Sequence, residues 1–170
     1  SYRNSGYMQF SKDIGNLTIN AGTRGSYWTY NEELLLSPRA SLAYAPIWEK
    51  DVVFRAASGI YYQAPFYREL RTPEGTLNHN IKAQKSTHYV LASDYLFYKW
   101  GRPFKWITEV YYKNLENLIP YKVDNVSIQY LANDLANGYA GGIDIKINGE
   151  FVPGVESWAS LSIMKTQEDI

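Results

Sequence analysis

Apolar and polar residues alternate along this chain, and the period of two persists over stretches far longer than an ordinary strand. Between 17 and 27, Leu17, Ile19, Ala21 and Tyr27 fall on one face and Thr18, Asn20, Gly22, Arg24 and Ser26 on the other. Between 142 and 151, Ile143, Ile145, Ile147 and Phe151 oppose Gly142, Asp144, Lys146 and Asn148. A period of two places successive side chains on opposite faces of a pleated strand, so each such stretch is a strand with one oily face. The pattern predicts strands near 5–13, 17–28, 37–46, 52–63, 86–98, 104–115, 139–152 and 157–166. Only "NEELLL" (31–36) and "LANDLANG" (131–138) carry a helical spacing, each enough for a turn or two.

Most of these strands run to nine residues or more, against about 5–6 in ordinary soluble sheets and about 9–11 for a tilted membrane-spanning strand. The connections alternate in length. "IGN" (14–16), "PIWEKD" (46–51), "KWGRPF" (99–104) and "PGVE" (153–156) are short, rich in glycine, proline and charge. Between them lie the longer "YNEELLL", 64–85 and 116–138 segments. An antiparallel up-and-down meander then has its short turns at one end and its long loops at the other, as outer-membrane barrels do.

Composition narrows the function classes. Lysine plus arginine and aspartate plus glutamate are 17 each, so no polyanion-seeking surface is expected and nucleic acid is not an expected partner. With no cysteine, disulfide staples, thiolate metal sites and a cysteine nucleophile are excluded. No apolar run is long enough for a transmembrane helix. Ser1 opens in mid-pattern without the charged start and apolar stretch of a signal peptide, so an export signal was removed or the chain is a piece of something longer.

Alternation alone fits a soluble sheet equally well. Three features point instead to a polar interior and an oily exterior. The polar face mixes its charges with Gly, Ala and Ser. The apolar face sets Tyr27, Trp28, Tyr62, Trp106 and Tyr112 near strand ends, where interfacial girdles lie. The strands are long and lack the devices that protect open edges. On this reading Arg24, Arg39, Arg55, Asp94, Glu109, Lys113, Asp144 and Lys146 face a lumen.

The order of motifs resembles the β-barrel of TonB-dependent outer-membrane receptors. "SPRASLAYAP" (37–46) followed by "FRAASGIYYQAPFYREL" (54–70) resembles a strand opening Ser-Pro-Arg that leads, through a short turn, to one ending Tyr-x-x-Pro beneath a long loop. "KSTHYVLASDYLF" (85–97), "ITEVYYKNLENLIPY" (107–121) and "NGYAGGIDIKINGEF" (137–151) are similar to the strands that follow, in family order. The style is most like receptors of the Bacteroidetes group. The resemblance implies location in a bacterial outer membrane and a barrel of 22 strands around an N-terminal plug domain, with a TonB box that contacts the inner-membrane energy source. These 170 residues show no plug, TonB box or terminal aromatic. They are expected to be an internal part of the barrel domain, about eight strands of it. The resemblance further implies that the lumen charges meet the plug, that lipid surrounds the barrel, and that the TonB complex acts through the plug. The imported ligand would be scarce: a siderophore, cobalamin, glycan or peptide.

Phe66, Tyr67, Arg68, Arg71 and His79, in the 64–85 loop, are candidate ligand contacts through stacking and charged hydrogen bonds. His79 and His88 stand nine residues apart with no metal-binding spacing, and no nucleophile elbow, phosphate loop or paired-carboxylate geometry is present. Neither a metal, a cofactor nor an enzyme activity is expected. Two other classes fit the pattern: a complete small eight-stranded membrane barrel of structural or adhesive role, and a soluble ligand-binding β-barrel.

Overall fold

The computed structural model describes residues 2–72, 75–125, 127–131 and 135–169, and among these the regular structure is entirely β. The strands are β1 (Arg3–Ile14), β2 (Leu17–Trp28), β3 (Glu33–Tyr44), β4 (Asp51–Gln63), β5 (Gln84–Lys99), β6 (Arg102–Leu118), β7 (Tyr121–Asp124), β8 (Ser127–Tyr130), β9 (Ala136–Val152) and β10 (Val155–Asp169). Eight form one sheet in the order β1-β2-β3-β4-β5-β6-β9-β10, and β7 and β8 form a separate hairpin. Every pairing is antiparallel. Each of the eight long strands neighbours its sequence neighbour, the meander expected from alternating connections. Among the described residues β1 does not pair with β10, so these eight strands do not close into a barrel by themselves.

Two expectations are corrected. "NEELLL" is not helical: Glu32 turns with φ of 57° and β3 begins at Glu33. A strand sends Leu34 and Leu36 to the oily face and Leu35 to the other, where Leu35 is buried. The β2–β3 connection therefore shrinks to residues 29–32. In "LANDLANG", Ala136 to Gly138 open β9, while 132–134 lie outside the described residues. The β7–β8 hairpin inside the 119–135 connection was not anticipated.

Tight turns hold the short end. At Trp100–Gly101 both residues are left-handed, φ 53° and 72°, as a two-residue hairpin turn with the strands' own twist requires. Tryptophan there is costly, and its ring is held between Lys99 at 5.8 Å, Arg102 at 5.6 Å and the edge of Phe104. Pro153–Gly154 turns β9 into β10, with Gly154 at φ 77°.

The register carries each face across the sheet. Ile19, Leu42, Ala56, Leu91, Val110, Ile143 and Ile163 sit opposite one another, strand by strand, in one unbroken apolar row. These side chains are not buried within the protein: Leu91 is 65 % exposed and Ile163 61 %. What is buried lies elsewhere. Trp28, Ala64, Leu70, Ile81 and Ile119 cluster at the long-loop end, with Tyr30 and Tyr130 against them.

Aromatic rings over glycines lock β6 to β9. Phe104 faces Gly149 and Tyr111 faces Gly142 across the ladder. A Cβ on Gly142 would come within 2.7 Å of the Tyr111 hydroxyl, and one on Gly149 would overlap the Phe104 ring. Each ring thus occupies the space its partner's missing side chain leaves, and Phe104 is 2 % exposed on an otherwise open face. Phe97 stacks on it at 5.6 Å and Phe151 meets it edge-on at 5.2 Å. Gly149→Val is expected to cost about 1–3 kcal/mol by overpacking. Adding Phe104→Ala should recover part of that loss in a denaturant titration, whereas strictly additive losses would rule out the ring–glycine contact as the cause.

Candidate functional site

The strand alternation predicted from sequence places side chains on two unlike faces, and the face opposite the apolar row holds the charges. All eight sequence-selected residues share it. Arg24 lies opposite Ser37, Arg39 opposite Gly22 and Gly59, Arg55 opposite Ala43 and Ala92. Further along, Asp94 lies opposite Val53 and Ile107, Lys113 opposite His88, and Lys146 opposite Ile107 and Ser160. Glu109 and Asp144 face each other directly.

Asp94 is the electrostatic centre of the lower part of this face. It accepts from Arg55 at 2.6 Å on the β4 side and from Lys105 at 2.9 Å on the β6 side. Each contact is diagonal, between residues two apart in register, a separation long side chains span. Asp94 is only 18 % exposed. Two bases on one carboxylate leave a net positive site that an outside acid can join. The directly opposed Glu109 and Asp144 are like charges at a separation that is unfavourable unless a cation intervenes. Lys113 lies 5.4 Å over the Tyr111 ring and Lys146 5.5 Å over Trp158, their stems laid along the face.

One expected girdle residue is on this face instead. Trp28 was grouped with Tyr27, but adjacent strand residues point oppositely, and its partners are Arg3 and Glu33. It is 4 % exposed because the 64–83 connection folds over it. Tyr27, Tyr62, Trp106 and Tyr112 are on the apolar face as expected.

Among the loop candidates, Arg71 donates to the Tyr67 hydroxyl at 3.0 Å and lies 5.2 Å over its ring. Arg68 and Arg71 line a cavity of about 240 Å³ with Thr72 and the β8 residues Ile128, Gln129 and Tyr130. Phe66 and Tyr67 are exposed, and the Phe66 N–H donates to Glu69 at 2.8 Å. His79 is stacked at 4.8 Å on Tyr30, which itself stacks on Trp28 at 5.3 Å. Burial pushes the Tyr30 hydroxyl above its ordinary pKa, with the Tyr67 hydroxyl adding to the effect.

Sequence reasoning missed what fastens this loop. Asn31 donates to the Ile81 carbonyl at 2.9 Å, the Ala83 N–H donates to Glu33 at 3.1 Å, and Asn117 donates to the Ala83 carbonyl at 3.3 Å. Leu70 and Ile81, isolated apolar residues in a polar segment, were the available signal. Ile81 is 2 % exposed; Ile81→Ala should cost about 2–4 kcal/mol locally. Faster proteolytic nicking within 64–83 with an unchanged sheet is the expected readout, and unchanged nicking would show that the loop does not depend on this cluster.

Comparison with known proteins places this geometry. The family model for TonB-dependent receptor-like β-barrels matches residues 1–166. No curated protein matches the sequence at a significant level. Among solved structures, the copper transporter OprC superposes with a TM-score of 0.75 at 14 % identity, over 97 % of this chain and 29 % of that one. The alcaligin outer-membrane receptor FauA from Bordetella pertussis gives 0.66 at 18 % identity, over 98 % and 30 %. The FrpB iron transporter from Neisseria meningitidis (F3-3 variant) gives 0.67 at 14 %, over 98 % and 26 %. The chain thus spans less than a third of the length of these structures.

Proposed function

Since the chain belongs to the TonB-dependent receptor-like β-barrel family, we propose that it forms part of the barrel wall of an outer-membrane import receptor. The observation that supports this most is the apolar row from Ile19 to Ile163, left exposed across the sheet opposite a charged face. In water such a patch would be an aggregation site; against lipid tails it is the matching surface. The eight strands of the large sheet, 12 to 17 residues long, exceed the roughly 9–11 that a tilted strand needs to cross the hydrocarbon, so the surplus carries the long-loop end above the membrane.

The charged face is then the lumen. Arg55, Asp94 and Lys105, with Glu109 and Asp144, offer both signs of charge to a plug domain, and neither member of a buried ion pair is tolerable alone. Phe66, Tyr67, Arg68 and Arg71 lie at the outer surface beside the β7–β8 hairpin, positioned to meet an arriving solute. The wall binds and guides; import is powered through the plug by the TonB complex. The chemistry is transport rather than catalysis.

Ile143→Arg tests the facing. A cation at mid-depth on the lipid side costs about 2–4 kcal/mol, so folded receptor in the outer-membrane fraction should fall. Ser160→Arg, on the charged face, should leave it unchanged. Equal tolerance of both would overturn the assignment, and recovery of the wild-type receptor in the soluble fraction would favour a water-soluble β-barrel.

A further inference from the structure

Pro38 sits in the middle of β3 and has no N–H to give to a ladder. The β3–β4 pairing runs from Tyr44↔Phe54 to Arg39↔Gly59 and stops there, one residue short of the proline. Above that point β3 stays on β2, through Pro38↔Thr23 to Glu33↔Trp28. β4 meanwhile stays on β5, through Ile60↔Thr87 to Gln63↔Gln84. The two strands separate, and a cavity of about 240 Å³ opens on the charged face, lined by Arg3, Arg24, Arg39, Ser26, Ser37 and Tyr61 among others.

Three guanidinium groups converge on this cavity, and none is within ion-pair distance of a carboxylate among the described residues. Arg24 is oriented by a 3.0 Å hydrogen bond to the Ser5 hydroxyl. Arg39 has glycine opposite it on both sides, Gly22 and Gly59, and the Tyr61 ring lies over Gly59 beside the arginine stem. Glu33, the carboxylate nearest in register, is already held by Asn31 at 3.0 Å and the Ala83 N–H at 3.1 Å. The cavity's upper wall includes Leu35 and Ala64, each 5 % exposed, so part of the site is shielded from water. Elsewhere on the same face Arg55 and Lys105 find Asp94, and Lys113 and Lys146 lie over aromatic rings. Here three cations line one cavity with no acid paired to them among the described residues, and an entering anion would meet all three.

We infer that this cavity is an anion subsite, which takes a multi-oxygen group such as a phosphate or vicinal carboxylates carried by the solute. Arginine forks suit planar and tetrahedral oxyanions, and Ser26, Ser37 and the Tyr61 hydroxyl can supply further donors. At about 240 Å³ it is smaller than a typical whole-ligand pocket of about 300–1,000 Å³, so it holds one group of a larger molecule. This inference rests on the receptor reading, which makes the charged face a lumen.

The test uses the intact receptor that contains this chain, purified in detergent at low salt, with inorganic pyrophosphate as probe and glucose as the uncharged control. Pyrophosphate should raise the thermal midpoint saturably, and added salt should weaken the effect. Arg24→Gln and Arg39→Gln should each weaken the apparent affinity roughly tenfold, the loss of one charge-assisted bond. Arg39→Lys should recover part of it with the fold intact, and Lys50→Gln, in a short turn, should change nothing. Pyrophosphate acting no differently from glucose, or equal affinity in wild type and the double arginine variant, overturns the subsite. So does a double variant whose lumen domain becomes protease-sensitive while pyrophosphate affinity is kept, since the arginines would then hold protein carboxylates. In each case a receptor still found in the outer membrane leaves the transport reading standing; a receptor absent from it removes both.

Discussion

The inter-strand register is the constraint on which everything else here depends. With a side-chain period of two, a slip of one residue between any neighbouring pair would send an oily face to the charged side and its charges to the oily side. The ladders from β1 to β10 hold one register, apart from local shifts near Leu115/Leu118 and Val155/Ser157. Its product is a row running from Ile19 to Ile163 without a polar residue, backed by a row in which Arg55, Glu109 and Asp144 occur.

Several local devices keep that register. Left-handed Trp100 and Gly101 set the β5–β6 hairpin, and Pro153–Gly154 sets β9–β10. Between β6 and β9, which have no tight turn to align them, the alignment falls to side chains. Phe104 fits over Gly149, whose neighbours Asn148 and Glu150 both carry a Cβ, so it cannot move one position along and acts as a pin on the oily face. Tyr111 over Gly142 adds a close contact on the charged face.

The sheet has almost no interior, because one layer has nothing to pack against. Apart from Phe104 near the short-turn end, apolar burial gathers at the long-loop end, where Leu70, Ile81 and Ile119 close over Trp28. That cluster and the Glu33–Ala83 and Asn31–Ile81 hydrogen bonds tie Ala64, Leu70, Ile81 and Ala83 to the end of the sheet. Departure from a regular ladder is concentrated at this same end. Pro38 parts β3 from β4, and three arginines gather where they separate. Regular pairing builds the sheet, and its interruption opens the cavity that the arginines line.

The fold was legible in the chain to an unusual degree, since a period of two sustained over a dozen residues has a single local solution. Residues 17–28 and 52–63 show strand, face and charge placement directly, and all eight charged candidates could be assigned to one face by parity. Parity errors are equally local: pairing Trp28 with its neighbour Tyr27 ignored the alternation that the rest of the strand obeys. Where spacing is ambiguous, as in the three leucines of 34–36, tertiary surroundings chose the strand, which buries Leu35 and leaves Leu34 and Leu36 on the oily face. The packing of Ile81 on Trp28, the stacking of His79 on Tyr30, and the convergence of Arg3, Arg24 and Arg39 were not legible. These contacts join residues distant in sequence, and a periodicity specifies which way a side chain points but not what it meets. Sequence alone determined the strands and the sign of each face; the tertiary structure decided which side chains share a site, because only register and loop closure bring distant positions together.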